Sequence, residues 1–175
     1  LDFTSIDALA AKLKDVPIDV LLNNAAILGD PDRQGFGNLD FDLMQEVFAV
    51  NTVGTLKMTE AFFDNVLASK QKKVIAIGSL RDPMIPFYKM SKTALNMGMS
   101  SIARRLKSKK VTIALISPGA VDTEMMRAAM GAANFKPKFL ITPEESAEAV
   151  INIIDQYDLQ LTGTFMSHRG DEIPW

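Results

Sequence analysis

A chain of 175 residues, 47% hydrophobic and 23% charged, has the size and apolar content of one soluble domain, and its net charge of −2 leaves no basic surplus for a nucleic-acid backbone. Cysteine is absent and His168 is the single histidine, which excludes disulfides, thiol catalysis and the usual cysteine- or histidine-rich metal centres. There is no apolar run of about eighteen residues and no signal-peptide layout, so the expectation is a cytoplasmic protein with no membrane or nucleic-acid partner.

The chain opens Leu1-Asp2-Phe3-Thr4 without an initiator methionine, in what reads as the end of a strand, so a fragment is expected. Thr4 is placed to cap a short helix, with Asp7 in the box position and Ile6, Leu9 and Leu13 as its buried stripe. A first apolar strand covers 18–22, followed by a polar loop over 29–38 with Asp30, Pro31, Gly35 and Gly37. One long helix is expected from about Asp42 past Asn51 to Leu67, with Leu43, Val47, Val50, Leu56, Phe63 and Leu67 inward. A second strand covers 73–77. The next helix begins near Tyr88 and runs through Leu95, Met99, Ile102 and Leu106 to a third strand at 111–116.

An irregular stretch over 119–137 follows, in which Thr123 caps a short helix carrying Met125, Met126 and Met130. Those methionines read equally as an adaptable substrate lid or as core filler. Thr142-Pro143-Glu144-Glu145 is an N-cap, a proline at the first helical position and a capping-box glutamate, ahead of Val150, Ile153 and Ile154. A weaker strand at 163–166 closes the series. The first three strands are apolar nearly throughout, as parallel strands covered on both faces should be. Strand and helix alternating then predicts an α/β fold, a doubly wound parallel sheet, in a single domain over 1–175. The basic clusters at Lys70, Lys72 and Lys73 and from Arg104 to Lys110 sit where helices end, where cations suit the helix dipole.

Tyr88 and Lys92 lie four residues apart, about one helical turn, and so share a face. An unperturbed phenol titrates near pH 10, too high for a base at neutrality. A nearby ammonium favours the phenolate, which suits the pair to reversible proton transfer with a carbonyl or an alcohol. Ser79 could hydrogen-bond the same oxygen. A tyrosine–lysine pair is common by itself, and what gives this one meaning is its company in a fixed order. Asn23-Asn24-Ala25-Ala26 follows the first strand, then come Asn51, Ser79, Tyr88, Lys92 and Ser117-Pro118-Gly119. Most of these follow strand ends, where ligands bind in a doubly wound sheet.

That ordered set resembles the short-chain dehydrogenase/reductase family over nearly the whole chain. The tail, Thr162-Gly163-Thr164-Phe165 and Gly170-Asp171-Glu172-Ile173-Pro174-Trp175, is similar to a small carbonyl-reductase subgroup related to the bacterial C-factor. The resemblance implies a Rossmann-like fold and an NAD(P)-dependent oxidoreductase acting on a small carbonyl or secondary alcohol. It casts Tyr88 as acid/base, Lys92 as its pKa-lowering partner and ribose ligand, Ser79 as polariser of the carbonyl, and Asn51 as holder of a relay water through a bend in its helix. Cofactor contacts, to NAD or NADP, are implied for Asp2 at the adenine, for Asn23, Asn24, Ala25 and Ala26 on the adenosine side, for Tyr88 and Lys92, and for Pro118, Gly119, Val121 and Thr123 around the carboxamide. No metal is implied. A homodimer or homotetramer through the two long helices is expected.

The chain departs from the family pattern in two respects. The glycine-rich phosphate loop is absent from this sequence, as is the residue that sorts NAD from NADP, so the chain reads as the C-terminal two-thirds or so of such a protein, with the strand at Val20 as a bare apolar edge. Ser79 and Tyr88 are also closer than the family norm, with Arg81-Asp82-Pro83 and Ile85-Pro86 between them. The alternative reading is a non-catalytic signalling or regulatory protein on the same scaffold. A serine hydrolase is excluded, since no Gly-x-Ser-x-Gly elbow exists.

Overall fold

The computed structural model describes residues 2–79, 85–134 and 136–174. Four parallel strands form one sheet in the order β1 (Val20–Asn23), β2 (Lys73–Ile77), β3 (Thr112–Ser117), β4 (Phe165–Ser167). Each strand lies within two residues of its expected place. Sequential parallel pairing requires a helical crossover after each strand, and the chain supplies them.

The period of two along the strands divides the core. Val74, Ala76, Ile113 and Leu115 pack with Phe62, Val66, Leu95, Met99 and Ala103, which come from the stretch before β2 and from α5 (Pro86–Leu106). Ile75, Ile77, Ala114 and Ile116 turn the other way, onto Val150, Ile153, Ile154 and Tyr157 of α7 (Pro143–Gln156) and its C-cap. Every residue of β2 and β3 is therefore buried, and burying one such aliphatic side chain contributes about 1.5–3 kcal/mol. The arrangement is a Rossmann-like doubly wound sheet. β1 differs: Leu21 joins the first cluster, while Leu22 stays half exposed.

Two expectations at the helices need correction. α1 (Phe3–Lys12) is capped by Asp2, whose side chain accepts from Thr4 N at 2.9 Å. An aspartate just outside the first turn outcompetes a threonine already inside it. Asp7 pairs with Lys57 at 2.5 Å rather than closing a box, and Leu9 is exposed.

The long helix over 42–67 is broken into four pieces. These are α2 (Phe41–Phe48), a π-helical turn (Ala49–Gly54), α3 (Thr55–Ala61) and α4 (Phe63–Leu67). A π turn carries an extra residue and rotates everything beyond it. The buried side accordingly passes from Leu43 and Val47 to Asn51, then to Phe62 and Val66, while Val50, Phe63 and Leu67 are only partly buried. The Thr142 capping box forms as expected, Thr142 Oγ1 accepting from Glu145 N at 3.1 Å and Glu145 Oε2 from Thr142 N at 2.7 Å. Trp175 and Arg81-Asp82-Pro83 lie outside the described residues.

Candidate functional site

A cleft of about 730 Å³ opens at the carboxyl ends of the strands. Asn24, Ala25 and Ala26 follow β1 into it, Gly78 and Ser79 follow β2, and Pro118 and Gly119 follow β3; Tyr88 and Lys92 reach it from the first turns of α5. α5 starts there because Pro86 supplies the fixed φ of a first helical residue. The far wall is Val121, Thr123, Met125, Met126 and Ala129, from the start of α6 (Glu124–Ala133) and the loop before it. Thr123 caps α6, accepting from Met126 N at 3.2 Å. Met125 and Met126 face the cleft, which favours the lid over core filler for these two; Met130 does not line it.

Lys92 is buried, and its Nζ donates to Ile77 O at 2.9 Å while lying 5.9 Å from the centre of the Tyr88 ring. A buried ammonium is thus held on a strand-end carbonyl beside the ring of Tyr88, which borders the cleft. Lys92 is also the single charged side chain among the described residues lining the cleft.

Asn51 lies outside the cleft, fully buried at the π turn, and links α5 to the loop after β1. Its Oδ1 accepts from Ile27 N at 2.8 Å, and its Nδ2 donates to Ile27 O at 2.9 Å and to Ser91 Oγ at 3.0 Å. Ser91 Oγ in turn donates to Tyr88 O at 2.7 Å. Thr52 Oγ1 adds a bond to Ser91 O at 2.8 Å. The π turn thus trades helical regularity for a buried polar contact with α5. Asn23 is also outside the cleft: its Nδ2 donates to Thr59 Oγ1 at 3.3 Å, beside a smaller apolar hollow shared by Ile6, Leu22, Asn24 and Met58. Asp2 is exposed at the cap of α1 and does not line the cleft.

The Pro118–Gly119 turn is fixed from two sides. Ser146 Oγ of α7 donates to Pro118 O at 2.8 Å. Gly119 has φ +88°, and a Cβ there would stand 2.9 Å from His168 Nδ1 and from Ile141 Cδ1, so only glycine fits. Burial lowers the His168 pKa, helped by Arg169 and opposed by Asp171.

Three buried amides went unnoticed in the sequence, of which Asn65 donates to Leu13 O at 2.6 Å and Val16 O at 2.8 Å and does not line the cleft. Gln34 joins the loop after β1 to the start of α5. Asn96 stands four residues past Lys92 on the same face, a spacing that could have revealed it. Its Nδ2 lies 3.5 Å from Ser79 O, and its Oδ1 is buried with no hydrogen-bond partner among the described residues. A Cβ on Gly78 would come within 2.5 Å of that oxygen.

Among the described residues no cluster of three acidic or histidine side chains could hold a metal, and no helix is long and apolar enough to cross a membrane.

Comparison with known proteins identifies the family and the fold. The family model for short chain dehydrogenase matches residues 2–133. The C-signal of Myxococcus xanthus is 29% identical over 175 residues, taking in 96% of this chain and 99% of that protein. The 1-hydroxy-2-glutathionyl-2-methyl-3-butene dehydrogenase of Rhodococcus sp. (strain AD45) is also 29% identical, over 98% of this chain and 75% of its own length. Among solved structures, the NADPH-bound carbonyl reductase from chicken fatty liver superimposes with a TM-score of 0.84 at 24% identity, over 99% of this chain and 74% of that one. The carbonyl reductase Sniffer of D. melanogaster gives 0.82 at 20% identity, over 99% and 75%. At such identities the structural likeness speaks for the fold.

Proposed function

The chain belongs to the short-chain dehydrogenase family, and on that footing we propose that it is an NAD(P)-dependent oxidoreductase working between a carbonyl and a secondary alcohol, with Tyr88 as acid and base. The observation that carries this reading is Lys92: buried, tied to Ile77 O and 5.9 Å from the Tyr88 ring at the mouth of a cleft.

The residues present fit the nicotinamide end of such a cofactor. Gly119 offers a stretch of wall without a side chain, Pro118, Val121 and Thr123 complete it, and Asn24 to Ala26 line the same cleft toward the adenosine side. No glycine-rich cradle for a diphosphate occurs among the described residues. A nicotinamide held there would supply the chemistry of hydride transfer to or from the substrate carbon. In reduction, Tyr88 gives its hydroxyl proton to the carbonyl oxygen, and in oxidation its phenolate takes that proton back. Lys92 stabilises the phenolate between these steps and would hold the ribose of a bound cofactor, and Ser79 donates to the substrate oxygen as charge develops on it. Asn51 acts through its helix, holding a relay water on the widened turn. Asp2 and Asn23 stand on the adenosine side. The uncharged, methionine-bearing wall selects small apolar carbonyl compounds. Exposed Phe41 and Val53 before β2, and Met90 and Met97 on α5, support pairing of copies through these helices.

The test is steady-state oxidation of NADH and NADPH by the purified protein over a panel of ketones and aldehydes, repeated with Tyr88→Phe. Turnover that disappears in the variant supports the enzyme. The likeness to C-signal over nearly the whole of both chains favours a second reading, a signalling or regulatory protein on the same scaffold. Cofactor binding, seen as fluorescence quenching, without turnover on any carbonyl would select that reading.

A further inference from the structure

Gln34 closes a short 3₁₀ turn (Pro31–Arg33) in the polar loop yet is 1% exposed, and the three hydrogen bonds its side chain makes among the described residues are all to the main chain. Its Nε2 donates to Leu28 O at 3.0 Å and Asp30 O at 3.3 Å; its Oε1 accepts from Phe87 N at 3.0 Å. The orientation of the amide is unambiguous, because two partners are carbonyls and the third is an N–H. We propose that Gln34 is a positioning residue for Tyr88, a strut between the loop after β1 and the opening turn of α5; the proposal rests on the acid/base reading of Tyr88.

α5 has no cap of its own. Its N-cap is Ile85, which offers no side-chain acceptor, and the first-turn N–H of Phe87 would be left buried beside a ring that is 2% exposed. Gln34 satisfies that donor from another part of the chain. The residue after Phe87 is Tyr88, whose carbonyl is held on the opposite side by Ser91, itself bonded to Asn51. The main chain before and after the Tyr88 side chain is thus tied twice to the same loop: at Phe87 N through Gln34 to Leu28 and Asp30, and at Tyr88 O through Ser91 and Asn51 to Ile27.

An amide alone fills the position. Glutamate keeps the acceptor but cannot donate to two carbonyls, and methionine keeps the volume but does neither. The loop is also shaped around it: Gly29 has φ +76°, and a Cβ there would lie 3.0 Å from Gln34 Nε2 and 2.9 Å from Val47 Cγ2.

A core amide with no bearing on chemistry would affect only stability, so the test reads Tyr88 itself. The chain has two tyrosines, and burial pushes Tyr157 up to about 12, so a phenolate absorbance step well below that belongs to Tyr88. In Gln34→Met we expect the Tyr88 midpoint to move up toward the ordinary value of about 10. The same variant should lose about tenfold in kcat, with KM for the cofactor unchanged. Gln34→Glu, which keeps the Phe87 acceptor, should move both in the same direction by less. In the wild type, the Phe87 amide should resist hydrogen exchange. A folded variant of either kind with wild-type midpoint and kcat overturns the proposal, as does rapid exchange at Phe87. A wild type with no low phenolate step contradicts the acid/base reading itself, and the proposal with it.

Discussion

The two ends of the sheet use the same two residue types to different ends. At the amino ends of the strands, Lys73 is buried, and its Nζ donates to Ile154 O at 2.6 Å and Asp155 O at 3.4 Å in the last turn of α7. Just past that turn Tyr157 is sealed in, its hydroxyl 2.7 Å from Thr164 O and 2.6 Å from Thr164 Oγ1. At the carboxyl ends, Lys92 is equally buried on a carbonyl, yet its tyrosine faces a cleft. A buried lysine near a tyrosine is therefore not a site by itself. Lys73 completes a helix end, where a cation meets the negative pole of the helix dipole, and Tyr157 closes a loop. What distinguishes the other pair is that its phenol borders a space large enough for a ligand.

Substitution at matched positions tests that contrast most severely. Tyr88→Phe should lower kcat by about a thousandfold in a carbonyl-reduction assay while leaving Tm close to wild type. Tyr157→Phe should do the opposite, keeping activity and losing about 1–2 kcal/mol in urea unfolding. Loss of activity in both would erase the distinction. Lys92→Met should cost about a hundredfold in kcat/KM, whereas Lys73→Met should leave turnover intact and destabilise by about 1–3 kcal/mol, because the helix-end carbonyls of Ile154 and Asp155 each lose a charged donor.

Gly78→Ala sharpens the comparison on the cleft side alone. Its Cβ would meet Asn96 Oδ1 at 2.5 Å, so a loss of about 1–3 kcal/mol is expected. The Gly78→Ala/Asn96→Ala double variant should recover part of this, and strict additivity in the cycle would deny the contact. The smallest effect concerns His168. Its folded pKa lies below the ordinary 6.5, so its contribution to stability is complete above 6.5 and is lost as pH falls through the folded value. His168→Gln should flatten that part of the stability–pH curve, followed by thermal melts across the acid range.

How legible each region was follows from the forces that shape it. β2 and β3 stood out because burial on both faces leaves a continuous apolar run, and the Thr142 box because capping is a local matter of four residues. Asn24 to Ala26, Ser79 and Pro118-Gly119 pointed to the cleft because strand ends are read off the strands themselves, whereas Asn23 and Asn51 stand outside it. The helix from 42 to 67 misled because hydrophobic spacing cannot register a π turn, which here is bound up with Asn51 and Thr52 reaching Ile27 and Ser91 from a different segment. Gln34 was illegible for a related reason: its partners are main-chain atoms, two within its own loop and one at Phe87 in a distant segment, and no side-chain pattern marks them.

The most direct test of the pairing between Tyr88 and Lys92 is phenolate titration by near-ultraviolet absorbance in the wild type, Tyr88→Phe and Lys92→Met. We predict two separate steps in the wild type, one below the ordinary phenol value of about 10 and the other near the Tyr157 value of about 12. The lower step should vanish in Tyr88→Phe and move upward in Lys92→Met. A Tyr88 step at or above 10, unmoved by removal of the lysine, would contradict the account.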